Sequence, residues 1–169
     1  MTNETADLIF EGAAGLYREV RLEAWGDISN LVSFDSDLKS LGFTLLGDLS
    51  CSALTEGVMR AYVDSTQSTR AVLAVGVKNG ALNVAGDFFD SRFADGGVVT
   101  TTTSRAVINR PADGIHRKVC TWSGIHDLYR QHEAHLSEVK PLHGPAEPLG
   151  NTLLSVAQSI DSFSVRMSR

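Results

Sequence analysis

The densest group of chemically capable side chains lies in "LYRQHEAHL", residues 128–136, where His132 and His135 flank Glu133. Zinc hydrolases place two histidines at i and i+4 on a helix so that both reach one metal, with a glutamate beside the first as base. Here the histidines are three positions apart. Neighbouring helical turns also meet at that spacing, so a shared metal is geometrically open. The surrounding pattern argues against it. Ile125, Leu128, Tyr129, Leu136 and Val139 form one apolar stripe at about 100° per residue, and His132 falls in its middle. His135 lies on one flank and Glu133 on the other, and no Cys or acidic partner shows ligand spacing. The expectation is a core-facing His132 hydrogen-bonded to a sheet carbonyl or hydroxyl, because buried polar groups are paired. No metal and no cofactor is expected. His116, His126 and His143 are expected on the surface.

Other reactive groups are dispersed. Thr100, Thr101, Thr102 and Thr103 could present a row of hydroxyls to a ligand, but β-branched residues in sequence suit a half-exposed strand with alternate threonines in water. Asp35 and Asp37 fit the start of a helix and Asp95 fits a turn. Asp87 and Asp90 fit the solvent side of strands, and Asp48 fits the polar face or end of one. There is no EF-hand spacing, no G-x-S-x-G elbow, no phosphate-binding glycine loop and no dinucleotide fingerprint. Cys51 and Cys120 lie in separate strand-like runs and read as free buried thiols. Two functional readings follow. The first is a non-catalytic binding or protein-interaction module, with His132, Tyr129, Thr100 and Thr102 as binding residues. The second is a small enzyme using His132 as acid or base in a helix–sheet cleft near the threonines.

The elements that must position these residues can be read from periodicity. Ile9, Ala13, Leu16, Tyr17, Val20 and Ala24 recur at helical spacing over about 5–25, although Gly12 and Gly15 weaken that helix. A short helix follows in "DSDLKSLGF", with Asp35 as N-cap and Gly42 just past its end. From Phe43 the period changes to two. "FTLLGDLSC", "VMRAYVD" and "RAVLAVGVK" read as strands, and a hairpin would set Asp64 opposite Arg70. Asn79-Gly80 signals a type I′ turn that faces Val77 with Leu82 and Val75 with Val84. Asp95-Gly96 would pair "DFFDSRF" with "VVTTTTS", and "RKVCTW" supplies one more strand. Ser123 would cap a helix over 124–139, and the prolines of "KPLHGPAEPLG" would interrupt it. Asn151 would cap a last helix, 151–167, with Leu153, Val156, Ala157, Ile160, Phe163 and Met167 on one side.

The expected fold is α+β. An antiparallel β-meander of five or six strands, about 43–122, is covered by N-terminal helices, about 5–41, and two C-terminal helices. The chain has 169 residues, enough for a hydrophobic core, and reads as a single domain, 1–169. Its apolar fraction of 43% and charged fraction of 21% are ordinary globular values. Net charge is −5, which argues against a nucleic-acid binder. The one basic stretch, with Arg105, Arg110, Arg117 and Lys118, reads as a solvated connection with some capacity for an anion. No run approaches a membrane span, and no leader pattern is visible, so the expected address is cytoplasmic. The last helix packs on its own domain or, less simply, forms a homodimer contact.

Three stretches together resemble a pattern in uncharacterised bacterial proteins: "LKSLGFTLLGDL" (38–49), "FADGGVVTTTT" (93–103) and "DLYRQHEAHL" (127–136). Those proteins have Leu-Gly-Phe leading into a strand, an Asp-Gly turn followed by threonines, and a helix with Leu-x-x-x-His. The resemblance implies no activity. It implies that His132, Asp95 and Gly96 are positions the fold needs.

Overall fold

A computed structural model describes residues 9–52, 58–103 and 113–167. The basic residues Arg105 and Arg110 and the first positions of the expected N-terminal helix lie outside them. Among the described residues, eight strands form one sheet in the order in which they occur in the chain. They are β1 (Ile9–Glu11), β2 (Leu16–Val20), β3 (Phe43–Cys51), β4 (Val58–Asp64), β5 (Arg70–Lys78), β6 (Ala81–Arg92), β7 (Val98–Thr102) and β8 (Ile115–Val119). Helix α1 (Val32–Ser40) precedes β3, and α2 (Ile125–His143) and α3 (Leu153–Met167) follow β8. The α+β class with a mostly antiparallel sheet is as expected. The sheet is larger than the five or six strands expected, and helices cover both of its faces.

The expected N-terminal helix is instead the β1–β2 hairpin, with Phe10 opposite Tyr17. Its two glycines explain the change. They sit in the turn, where the Gly12 amide donates to the Gly15 carbonyl at 2.9 Å. The Asp161 carboxylate of α3 accepts the amides of Ala13 and Ala14 at 2.9 and 2.7 Å. A side chain at residue 12 would collide with that carboxylate. Glycine therefore costs a helix here and fits a captured turn.

The β5–β6 hairpin follows the expected register. Asn79 and Gly80 take left-handed φ values of 53° and 76°, Val77 faces Leu82 and Val75 faces Val84. The next hairpin also holds, with Phe88 opposite Thr102. The β4–β5 turn is set differently. Val63, not Asp64, lies opposite Arg70. Asp64 closes the turn by accepting the amides of Ser68 and Thr69 at 2.9 and 3.0 Å. β8 pairs parallel to β7, the one parallel strand pair among the described residues. A parallel neighbour needs a crossover, here residues 103–114.

Helix ends also depart from expectation. Asp35 lies in the first turn of α1 but bonds Arg60 and Tyr62 across to the sheet. Gly42 ends α1 at φ 87°, as expected. Gly124 precedes α2, while the Ser123 hydroxyl bonds Asp127. α2 runs through Pro141 to His143 and stops at Gly144, where φ is 78°. So late in the helix, proline removes only one amide donor. At α3, Thr152 rather than Asn151 receives the Ser155 amide, at 3.2 Å.

Strand alternation sends side chains to two dry layers. Val58, Tyr62, Leu73 and Phe89 pack with Leu38 of α1 and Ile125 and Leu128 of α2. Tyr17, Leu49, Met59 and Val72 pack on the opposite face with Val156 and Ala157 of α3. The apolar stripe of α3 thus lies against its own sheet. β7 is buried along its whole length, so its threonines do not alternate into water. Among the described residues, no helix is long and apolar enough to cross a membrane.

Candidate functional site

The expected binding residues divide between the two faces of β7. Thr101 points toward α2, and Thr100 and Thr102 point toward α3, because successive strand residues alternate. His132 is 0% exposed. Its Nδ1 is 3.1 Å from Thr101 Oγ1, and its Nε2 is 3.0 Å from Ser91 Oγ. Ser91 continues to Thr69 Oγ1 at 3.0 Å, and Thr101 to His135 Nδ1 at 3.2 Å. Burial pulls the His132 pKa down to about 4, outweighing the attraction of Asp90. The imidazole is therefore neutral and satisfied at both nitrogens. Tyr129 packs T-shaped on Phe43, with centroids 5.3 Å apart, and burial pushes its pKa up to about 12. Neither His132 nor Tyr129 lines the cavity that holds Thr100 and Thr102.

That cavity lies between the sheet and α3 and has a volume of about 300 Å³. Its walls are largely apolar, from Met59, Ala74, Phe88, Ile160 and Phe163. Its polar side comes from Arg70 on β5, Asp90 and Arg92 on β6, Thr100 and Thr102 on β7, and Arg117 on β8. Register explains the convergence. Arg70 lies opposite Asp90, Asp90 opposite Thr100, and Thr100 opposite Arg117, so one row crosses four strands. Arg70 Nε and Nη2 donate to the two Asp90 oxygens at 3.1 and 2.7 Å. Arg92 Nη2 donates to the Ser159 carbonyl of α3 at 2.8 Å. Burial lowers the Arg92 pKa against the attraction of Asp90, with Arg70 and Arg166 adding repulsion and Glu147 a weaker attraction. Arg70 Nη1 and Arg92 Nε are buried without a hydrogen-bond partner among the described residues.

Arg70 lies on Asp90 rather than opposite Asp64, Arg117 lines the cavity rather than a solvated connection, and Asp90 is buried rather than in water. A signal was present. "FFDSRF" carries aromatics on both of its alternating faces, so neither face of that strand reads as solvent. A charge on such a strand must be buried and matched.

The other polar clusters differ. Arg60 is bidentate to Asp48 at 2.8 and 3.1 Å and reaches Asp35 at 2.9 Å, which pins α1 to the sheet. Of the histidines expected at the surface, only His126 is exposed. His116 Nε2 meets His143 Nε2 at 2.7 Å, and His143 Nδ1 meets Asp95 Oδ2 at 2.7 Å. Cys51 and Cys120 are free and buried in different clusters. Among the described residues, no three His, Cys, Asp or Glu side chains are grouped to hold a metal ion. No protein-family model, curated protein or solved structure matches this chain.

Proposed function

We propose that the protein is a non-catalytic binding module whose small ligand occupies the cavity between the sheet and α3. The observation that carries this reading is the cavity itself: about 300 Å³ of apolar-walled space, with buried guanidinium groups along one side. Ligand sites are of this kind, concave and mostly apolar with a few placed polar groups. The reading retains Thr100 and Thr102 as binding residues and makes His132 and Tyr129 supports of the opposite layer. Acid–base catalysis by His132 finds no support here, because its ring is fully buried, doubly bonded and on the wrong face.

Ile160→Trp is the test, since Ile160 lines the cavity and is only partly buried. Small amphiphilic molecules should raise the melting temperature of the native chain in a saturable way. They should lose that effect in Ile160→Trp. A native chain that none of them stabilises, or a filled variant that binds them as well, would remove the proposal.

A further inference from the structure

We infer that the ligand is a small carboxylate with an apolar body, held head-first at Arg70 and Arg92. This deepens the cavity-binding reading above and rests on it. Among the described residues, Asp90 is the one acid lining the cavity, and both of its oxygens already face Arg70. Arg92 Nε is 3.9 Å from Asp90 Oδ2, beyond hydrogen-bond reach. Two guanidinium groups therefore share the one carboxylate of the lining, and Arg70, Asp90 and Arg92 together carry one excess positive charge; Glu147, which also attracts Arg92, is not in the lining. Buried charges are ordinarily paired, and removing a partner strongly destabilises what remains.

The unmet donors make the demand specific. Arg70 is 2% exposed, and its Nη1 has no partner among the described residues. Arg92 Nε is in the same condition. A carboxylate has two oxygens, and each can accept one charge-assisted N–H bond, one from each arginine. One monovalent head group would satisfy both orphan donors and cancel the excess charge. Thr100 lines the cavity beside them and offers a hydroxyl. The crossover 103–114 carries a single acid, Asp113, whose carbonyl accepts from Arg166. Beyond the polar row and Ser164, the wall is apolar, from Met59, Ala74, Phe88, Ile160 and Phe163, and would leave the far end of a polar body unsolvated and unbonded. Hence the ligand is charged at one end and apolar along the rest.

The test is calorimetric titration of the full chain with octanoate, octanol and octyl phosphate at fixed, moderate salt. Octanoate should bind at least about tenfold more tightly than octanol, the scale of one charge-assisted hydrogen-bonded pair. Arg92→Met should bring the two within about threefold of each other while retaining octanol binding. Arg92→Lys keeps the charge without the Nε donor and should weaken octanoate by an intermediate factor; it decides the matter if the Met variant does not fold. Equal binding of octanoate and octanol overturns the carboxylate assignment and leaves the cavity reading intact. Tighter binding of octyl phosphate overturns it in favour of a divalent head group. If none of the three binds, the cavity reading fails and the assignment fails with it.

Discussion

His132 shows how one buried side chain links stability to pH. Its pKa is about 4 in the folded protein, against an ordinary value of 6.5. Between those values the unfolded chain binds a proton that the folded one refuses, so stability falls as pH drops from about 6.5 toward 4. The shift corresponds to roughly 3 kcal/mol. His135 and His116 are also lowered by burial and add to the slope in the same direction. Urea unfolding at pH 7 and pH 4.5 should therefore show a marked loss, and His132→Gln should flatten part of it. A His132 ring that titrates near 6.5 by NMR would contradict the account. The inward direction of His132 was readable, because a helical stripe states which way a side chain faces. Its partners were not. Grouping His132 with Thr100 and Thr102 overlooked strand parity, which gives it Thr101 instead. The surroundings of the cavity arginines were hidden for a related reason. A charge on a strand reads as solvent-facing until it is known that α3 dries that face.

At the scale of elements, local turn chemistry was the most legible feature. Asn79-Gly80 and Asp95-Gly96 set their hairpins as expected, since a φ above zero is a demand that few residues meet. The N-terminal segment was misread because helical spacing and a glycine-closed hairpin compete there. The winning term is tertiary, the capture of the turn by Asp161, a residue almost 150 positions away in sequence. The end of α2 is held in a comparable way. His143 stacks on Phe93 with centroids 5.0 Å apart, bonds Asp95 in the β6–β7 turn and bonds His116 on β8. His143→Ala should cost about 1–2 kcal/mol, the range for losing buried hydrogen bonds and packing. Hydrogen exchange should then quicken at Gly96, Gly97 and Ile115 as well as in the last turn of α2. Changes confined to α2 would mean that the ring fastens nothing beyond its own helix.

The whole molecule is a twisted sheet dried on both faces, which explains why an acidic chain can hide a cationic row. The net charge of −5 belongs largely to the surface, while Arg70 is buried and Arg92 nearly so. That three-layer arrangement was only half legible, because the apolar stripe of α3 does not say which face it will cover. The parallel pairing of β7 with β8 was not legible at all, since pairing direction depends on the path of the crossover. It has a consequence for how the protein keeps to itself. An open sheet exposes unpaired backbone at its two rims, which invites another chain to add a strand. Among the described residues, one rim is β1, only three residues long, and the other is β8, "IHRKV". The crossover delivers to that second rim a strand bearing Arg117 and Lys118, whose charges repel an identical incoming strand. Lys118→Val should raise light scattering on mild heating without changing octanoate binding, and an unchanged scattering onset would refute the role. The strand that brings Arg117 to the cavity also guards the sheet against its own copies.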